Sequence, residues 1–423
     1  MARAMKDSGI PWIGEIPEDW NLERIKYLRN DEVDSFQDGD WIESPYVTDS
    51  GIRYLTTGNV GDGIFKEQGN GYISEETFKE LGCKYAYPGD LVISRLNAPY
   101  GRACVLPDNE DKYVLAVDIV ILRTNQSKKY LCYLSQCIGY QNTVQDAAKG
   151  TTMKRISRTN LGNIAVPIPP LEEQYKISAF LDTECARIDA VMEQTRASIE
   201  EYKKLKQSVI TQAVTKGIRP NRLMKDSGID WIGLIAGDFK VMKLKYVLDI
   251  LDQFRSPITA DQRNQNAEIL YDYYGASGAI DKIDGYTIDD HVMLIGEDGA
   301  NLKMRNLPLM YEVNGKAWIN NHAHILKPKQ GMDFYYLFYT LESLDINPYI
   351  TGSAQPKLSQ DNLKNMWIPI PKYEEQKEIS EYLKQVIAHY DEFIEKKKAF
   401  LSEMESYKKS LIFEYVTGKK EVV

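Results

Sequence analysis

Two stretches of the chain repeat apolar residues at heptad spacing, the pattern of a long helix that buries one side. The first runs over residues 171–217 and the second begins at residue 372. Each is about 45 residues long, or roughly 65–70 Å at 1.5 Å per residue. The apolar rows are Leu181, Ile188, Thr195, Tyr202 and Val209 beside Cys185, Met192, Ile199 and Ala213, then Leu383, Tyr390, Lys397, Met404 and Leu411 beside Ile387, Ile394, Leu401 and Tyr415.

Both predicted helices carry start and stop signals. Pro170 and Pro371 stand where proline is tolerated at a first turn, and two glutamates follow each of them, a favourable charge at a helix N-terminus. Glycines at 217 and 418 mark the ends. Lys206 and Lys408 interrupt the rows, so we expect them to set the register or to face another subunit. We predict that the two helices pack antiparallel, related by a pseudo-two-fold axis.

The helices belong to an internal duplication. Residues 5–28 match 224–247 at a shift of 219, and residues 150–178 match 352–380 at a shift of 202. The shifts differ by 17, so the segment between the blocks is 17 residues longer in the first half. We call the matching blocks the frame. Its repeated tryptophans, Trp12 and Trp231, are predicted to be packing anchors.

The segments between the frame blocks have diverged. Insert 1 (residues 29–149) and insert 2 (residues 248–351) share only strand-like echoes, 89–95 with 289–296 and 117–123 with 321–327. A duplication that only enlarged a core would explain the frame, but not why the inserts alone diverged. We therefore predict four segments: globular domains at 1–170 and 218–371, a central helix at 171–217, and a distal helix with a C-terminal tail at 372–423.

Composition narrows the class of protein. The net charge of −9 argues weakly against nucleic acid as a partner, but it averages over the surface and allows a local basic patch. The five cysteines form no CxxC pair, which disfavours a disulfide framework or a zinc site and fits an intracellular protein. No stretch reaches 18 apolar residues, so neither a membrane span nor a signal peptide is predicted.

Four loops, at matched positions of the two halves, place cations beside amides and hydroxyls: residues 94–102, 149–158, 296–305 and 351–359. Such groups suit phosphate oxygens, and arginine and asparagine are the usual partners of guanine and adenine. One loop alone is typical of a solvated turn, but the recurrence favours DNA binding. The candidate residues are Arg95, Asn97, Tyr100, Arg102, Thr151, Thr152, Lys154, Arg155, Asn301, Lys303, Ser353, Gln355 and Lys357.

Catalytic motifs are missing from the sequence. The Asn-Pro-Pro-aromatic loop of adenine methyltransferases is approached only at Asn347, where the second proline is lacking. No GxGxxG opens a helix, and there is no GxxxxGK[ST]. His322 and His324 lie on a predicted strand without nearby cysteine or carboxylate partners in the sequence. We therefore predict no catalytic residue, cofactor or metal site in this chain.

A resemblance follows from the motifs in combination. The box SGIxWIG, the helix starts PIPPLEEQ and PIPKYEEQ, the ending KLKQSVITQAVTKG and the two divergent inserts resemble the specificity subunit of a type I restriction–modification enzyme over nearly the whole chain. The resemblance implies an α/β (α+β) fold with two pseudo-symmetric target-recognition domains, joined by two long antiparallel helices that form a coiled coil. Each domain would read one half of a bipartite, asymmetric site on double-stranded DNA.

The resemblance also implies partners. The helical repeats would space the recognition domains and dock two methyltransferase subunits, which would carry S-adenosylmethionine and methylate adenine N6 on a flipped base. Restriction subunits would add ATP- and Mg-dependent translocation and cleavage, in the cytoplasm and without a membrane partner. One departure is that the first half has GTTMKRIS where the second has GSAQPKLS.

Two other classes of protein stay open at this stage. One is a duplicated adaptor whose inserts bind other proteins rather than DNA. The other is a self-sufficient methyltransferase or nuclease whose motifs are not recognisable, and the missing methyltransferase motifs count against it.

Overall fold

The computed structural model describes residues 3–32, 34–150, 154–230, 232–259 and 268–422. The chain forms two compact units. Unit 1 comprises Met1–Thr195 and Ala399–Val423, and unit 2 comprises Arg196–Lys398. Each unit therefore takes half of each long helix. The units cut across the four-segment division, which stays a prediction.

Unit 1 is built on a four-stranded antiparallel sheet in the order β4-β10-β7-β8. A three-stranded sheet, β6-β5-β9, and two strand pairs, β1-β2 and β3-β11, accompany it. The elements are β1 Met5–Asp7, β2 Glu15–Pro17, β3 Asn21–Arg24, β4 Phe36–Asp38, β5 Ile52–Leu55, β6 Tyr72–Ile73, α1 Glu75–Glu80, β7 Leu91–Ser94, β8 Ala103–Val105, β9 Tyr113–Leu115, β10 Ile119–Leu122, α2 Lys128–Ser135, α3 Ile138–Ala147, α4 Arg158–Asn163, β11 Ala165–Ile168 and the long helix α5 Leu171–Lys216.

Unit 2 contains a six-stranded sheet in the order β15-β20-β18-β19-β16-β17, with the strand pairs β12-β13 and β14-β21. Its elements are β12 Met224–Asp226, β13 Leu234–Ala236, β14 Lys240–Lys243, β15 Leu248–Ile250, β16 Tyr271–Gly275, β17 Gly278–Ile283, β18 Ile288–Gly296, α6 Asn301–Met304, β19 Met310–Ile319, β20 Ala323–Pro328, α7 Phe334–Ser343, α8 Gln360–Lys364, β21 Trp367–Ile370 and the long helix α9 Tyr373–Val416.

The two inserts share a core that their sequences barely reveal. The order β4-β10-β7-β8 of unit 1 recurs as β15-β20-β18-β19 in unit 2. The weak echoes were therefore real, because β7 and β18 hold one pair of echoing segments and β10 and β20 the other. The inserts differ in what they add to this core. Unit 1 adds a separate sheet with α1, whereas unit 2 extends its sheet by β16 and β17.

The two long helices are confirmed. They span 46 and 44 residues, with paired glutamates in each first turn. Both end at a glycine with positive φ, +72° at Gly217 and +70° at Gly418, a backbone conformation that L side chains rarely adopt. The predicted seam is buried or half-buried, as at Leu181, Ile188 and Leu383.

Within each unit the helix halves run antiparallel. In unit 1, Phe180 packs on Tyr415 at 4.4 Å between ring centroids, and Asp189 pairs with Lys408 at 2.7 Å. In unit 2, the Tyr202 ring lies 5.8 Å from that of Phe393, and Lys206 pairs with Asp391 at 2.6 Å.

The lysines that interrupt the apolar rows each form an ion pair with the facing helix. Lys206 and Lys408 occupy the same repeat position, and so do their partners Asp391 and Asp189. Each lysine side chain stays 26–28% exposed at the edge of the seam. The same ion pair thus occurs once in each unit and suits the predicted role in register.

The segment that precedes each insert contacts the first turn of a long helix. In unit 1, Arg3 contacts Asp19 at 2.8 Å and Glu173 of α5 at 2.8 Å. In unit 2, Arg222 contacts Asp238 at 2.6 Å and Glu375 of α9 at 3.2 Å. The same arginine and two acids thus join this segment to the helix in both units. We call each of these ion-paired groups an arginine clamp.

Trp12 packs inside unit 1, as predicted for an anchor. It lies against Gly139 of α3, where an added Cβ would come within 2.6 Å of the indole. Its counterpart Trp231 lies outside the described residues.

A buried tyrosine hydroxyl bonds each insert to the C-terminal end of the long helix from the opposite half of the duplication. Tyr130 of α2 donates to the carbonyls of Pro167 and Val416, both at 2.9 Å. Tyr336 of α7 donates to Pro369 at 2.7 Å and Val214 at 3.1 Å. Both side chains are fully buried, and burial raises the pKa of both phenols, so they stay protonated donors.

We expect Tyr130→Phe and Tyr336→Phe each to lower the free energy of unfolding by about 1–3 kcal/mol, because two buried carbonyls lose their donor. The two losses should add, since the sites lie in different units. Urea unfolding of the full chain measures both. The control is Tyr246→Phe, whose ring is 59% exposed and which should leave stability unchanged.

Candidate nucleic-acid interface

One loop of each unit is closed at its ends in the same way, although the two loop sequences differ. We call residues 149–155 and 351–357 the paired loops, because their ends bond to each other. Lys149 and Arg155 exchange two backbone hydrogen bonds at 3.0 Å, and Thr351 and Lys357 exchange two at 2.8–2.9 Å. The second residue of each is a glycine with positive φ, Gly150 and Gly352, which lets the chain turn back. Thr151 and Thr152, two predicted contacts, lie outside the described residues.

Each paired loop lies against the loop that ends a central strand of the sheet. We call residues 94–102 and 296–305 the strand-end loops. Leu96 forms a β-bridge with Arg155 in unit 1, and Asp298 forms one with Lys357 in unit 2. The N–H groups of Ile156 and Leu358 donate to the carbonyls of Arg95 and Glu297. The four loops chosen from the sequence therefore come together in pairs, one pair in each unit.

A serine follows each paired loop and caps a short helix. The Ser157 hydroxyl accepts from Asn160 N–H at 3.1 Å to start α4, and Ser359 accepts from Asn362 N–H at 3.2 Å to start α8. Serine at this position satisfies a donor that the first helical turn leaves free. The paired loop is thus held at both ends, by the sheet on one side and a capped helix on the other.

Arg95 is buried in the structure, although the sequence suggested a base contact. Its guanidinium donates to the carbonyls of Ile156 at 3.0 Å and Val117 at 2.5 Å. Its Nε lies 3.1 Å from Asp38. Burial lowers its pKa, and the carboxylates of Asp38 and Asp118 oppose that shift. Arg95 therefore joins the strand-end loop to the paired loop.

Arg102 has a similar internal role. It is 8% exposed. Its guanidinium donates to the carbonyls of Val60, Thr57, Asn97 and Pro99 at 2.5–3.2 Å. Burial lowers its pKa too. These bonds fold the 96–101 turn and direct the N–H groups away from solvent, so the structure gives no support to a base contact by Arg102.

Other predicted residues are accessible in unit 1. Asn97, Lys154 and Arg155 are exposed, and Tyr100 is half-buried against the core. The Arg155 side chain is 49% exposed and lies 3.1 Å from Asp118, so it is braced at one end and open at the other.

In unit 2 the accessible residues are Lys303, Ser353, Gln355 and Lys357. Lys303 reaches the paired loop, where it donates to the carbonyl of Gly352 at 3.3 Å. Asn301 instead orders its own loop, because its amide bonds to the main chain of Leu307 and Pro308 at 2.9–3.3 Å. It is half-buried rather than presented.

Sequence reasoning missed the charged cluster under each loop pair. In unit 1 the buried cation Arg95 is surrounded by carboxylates. At the matching position of unit 2 is Glu297, which pairs with Arg255 and, at 3.1 Å, with Lys357. Burial raises the pKa of Glu297, but these cations outweigh it and the net shift is downward. The charge is thus inverted while the fold around it is kept.

His324 completes the cluster of unit 2. It is 1% exposed, with Nδ1 2.7 Å from Asp252 and Nε2 2.8 Å from the Leu358 carbonyl. A carbonyl only accepts, so Nε2 carries a proton and donates. The neighbouring His322 lies 2.8 Å from Asp298. Both histidines therefore have carboxylate partners, from segments too distant in sequence to suggest them.

The profile of the type I restriction modification DNA specificity domain matches residues 25–201 and 236–403. The chain belongs to this family. It is a specificity subunit with two recognition domains, and members of the family work with DNA and with other subunits of a type I complex. The two matched regions correspond to the two duplicated halves.

Relatives match most of the chain. The putative type I restriction enzyme MjaX specificity subunit of Methanocaldococcus jannaschii is 26% identical, covering 97% of this chain and 96% of that protein. The EcoBI specificity subunit of Escherichia coli is 22% identical, with 79% and 74% covered. A protein-interaction adaptor without sequence-specific DNA binding is not favoured by these relatives.

Solved structures share the fold. A chain from a study of complex assembly and conformational transition of the type I R-M system superposes with a TM-score of 0.73, at 16% identity, covering 96% of this chain and 99% of that one. The HsdS subunit from Thermoanaerobacter tengcongensis superposes with a TM-score of 0.52, at 16% identity, with 96% and 98% covered. Of the helices in the described part of the chain, none has the length and apolar composition that crossing a membrane requires.

We expect Arg95→Ala to lower the free energy of unfolding by about 2–3 kcal/mol, because Asp38 and Asp118 lose a buried cation and two carbonyls lose a donor. Urea unfolding measures the loss, and hydrogen–deuterium exchange should localise it to residues 91–96 and 154–158. Lys149→Ala is the matched control, since that side chain is exposed and should leave both measurements unchanged. Equal stability of the two variants would contradict the structural role of Arg95.

Proposed function

We propose that this chain is the non-catalytic specificity subunit of a type I restriction–modification complex, and that each unit binds one half of a bipartite, asymmetric DNA site. One observation carries the proposal. In each unit a strand-end loop and a paired loop are bridged, by Leu96 with Arg155 and by Asp298 with Lys357. Two loops joined in this way form a small platform beyond the end of a central strand, at the same place in both units.

The chemistry of the platforms suits a DNA duplex. Lys154 and Arg155 in unit 1, and Lys303 and Lys357 in unit 2, are exposed cations that would contact phosphates, and such contacts fix a protein on DNA without reading its sequence. Gln355 is exposed near the tip of its loop, and a glutamine amide can pair with adenine in the major groove. The acidic total of the chain is compatible with this role, because partner subunits would help to enclose the duplex.

Contacts that recur in both units support the proposal of two identical partners. The arginine clamps, the tyrosine hydroxyls and the lysine–aspartate pairs are present in each unit, although most of the insert sequences diverge. Two equivalent surfaces suit two copies of one subunit. We assign that role to methyltransferase subunits that bring S-adenosylmethionine. Restriction subunits with ATP and Mg²⁺ would complete a cytoplasmic complex, leaving this chain without a cofactor or an active site of its own.

Co-expression of the chain with its methyltransferase subunit should methylate adenine N6 at a gapped motif in the host genome. Long-read sequencing that detects N6-methyladenine identifies the motif. The control is the methyltransferase subunit expressed alone, which should leave no motif. An assembled, intact complex without any gapped motif would refute the proposal, and methylation by this chain alone would instead favour the self-sufficient enzyme.

Replacement of residues 248–351 by another family member's insert should change one half-site and leave the other unaltered. The reason is that insert 1 and its loops belong wholly to unit 1, whereas residues 248–351 belong wholly to unit 2. The methylated motif of the hybrid measures the outcome, and a reciprocal exchange of residues 29–149 is the matched control. A change in both half-sites from either exchange would contradict independent readout.

A further inference from the structure

Unit 1 has a groove beside its paired loop that the predicted contacts do not account for. Its volume is about 670 Å³. Among the lining residues that the structure describes, Arg95, Lys149 and Arg155 are cationic and Asp118 is the one carboxylate. The lining also includes Trp41, Leu96, Ala147, Ser157 and Asn160. Arg95 is buried and balanced by Asp38 and Asp118, so the accessible cations of the groove are Lys149 and Arg155. The groove thus joins accessible cations to an aromatic side chain in its wall.

Trp41 is the exceptional member of this lining. Its indole is 69% exposed. Its neighbours in sequence are fixed, since Asp40 bridges to Ala116 and accepts the Lys84 N–H at 2.8 Å, and Ile42 packs on the cluster of Ile52 and Val114. The exposure of Trp41 thus results from a well-anchored backbone that turns the ring outward, not from a loose loop.

An exposed tryptophan in a cationic cleft points to a ligand with both apolar and anionic groups. Duplex DNA has both, since phosphates border base edges and deoxyribose in each groove. Apolar side chains contact the thymine methyl in the major groove, and apolar wedges contact bases in the minor groove. Tryptophan is also enriched among residues that dominate binding energy at interfaces.

The corresponding place in unit 2 is occupied differently. Phe36 pairs with Leu122 at the edge of the unit 1 sheet, and Ile250 pairs with Leu326 at the matching edge in unit 2. Trp41 and Arg255 each lie five residues further along the chain, so they correspond in place. Arg255 is turned inward, with its guanidinium on Glu297 and on the carbonyls of Asn321 and Ala323. One unit therefore presents an aromatic ring where the other holds an internal ion pair.

We propose that Trp41 contacts a base or deoxyribose in the half-site bound by unit 1, and that the groove at Lys149 and Arg155 holds the adjoining phosphates. This inference rests on the proposed DNA function and adds a specificity residue to it. The contact belongs to unit 1 alone, so it contributes to the difference between the two half-sites.

The test uses the assembled methyltransferase complex and a duplex that carries its methylated motif. Trp41→Ala should weaken binding about tenfold, at the low end for loss of an aromatic contact with a base. The Trp41→Ala complex should also discriminate less well against altered bases, but only in the half-site of unit 1. That is the half-site that exchange of residues 248–351 leaves unaltered. Trp41→Phe should retain most of the affinity. The control Ile64→Ala, at a residue of unit 1 outside the groove that is 64% exposed, should bind like the wild type.

Iodide quenching of tryptophan fluorescence gives an independent measurement. The wild-type complex should be quenched more strongly than Trp41→Phe, and the specific duplex should remove that difference. Wild-type affinity in Trp41→Ala, or an unchanged quenching difference with duplex bound, would overturn the inference while leaving the proposed function intact. If the wild-type complex has no specific motif at all, the proposed function fails instead, and the inference falls with it.

Discussion

In each unit one tyrosine hydroxyl bonds to two backbone carbonyls. One carbonyl lies in the strand that precedes a long helix, and the other lies at the C-terminal end of the opposite long helix. Tyr130 and Tyr336 are the residues that make these bonds. The remaining architecture depends on them, because a helix of about 45 residues sets positions accurately only if both its ends are fixed. The carbonyls of Val416 and Val214 are buried in the last turn of a long helix, where no intrahelical donor is left for them. The tyrosine thus satisfies a local need and fixes a distant element.

The frame and the inserts follow different rules. In the frame, identical residues recur with identical contacts, as in the clamps at Arg3 and Arg222. In the inserts, what recurs is strand order and backbone pairing, while the charges under the loops are inverted from Arg95 to Glu297. Each cluster balances its own central charge with neighbours of opposite sign, so the end of the central strand tolerates either arrangement. A loop platform can therefore change its surface chemistry without a change in the scaffold beneath it.

The sequence was sufficient for those features that a periodic or repeated pattern encodes. The two helices, their ends, their antiparallel packing and the recurrence of loops at matched positions of the two halves were all predictable, and so was the family. The roles of Arg95 and Arg102 were not, since their partners come from separate strands and turns that only the sheet brings together. His324 and Asp252 lie 72 residues apart and were equally hidden. The DNA contacts of Asn97, Lys154, Gln355 and the others stay predictions.

The division of the long helices between the units has a consequence for synthesis. Unit 2 is a single continuous segment, whereas unit 1 needs Ala399–Val423 to complete its core. Val416, whose carbonyl accepts from Tyr130, follows the whole of unit 2 in the chain. Although domains generally fold in the order of their synthesis, here the unit that begins first can finish only after all of unit 2 has been made. Until then its unfinished apolar face stays open, and a chain without residues 399–423 would leave unit 1 incomplete.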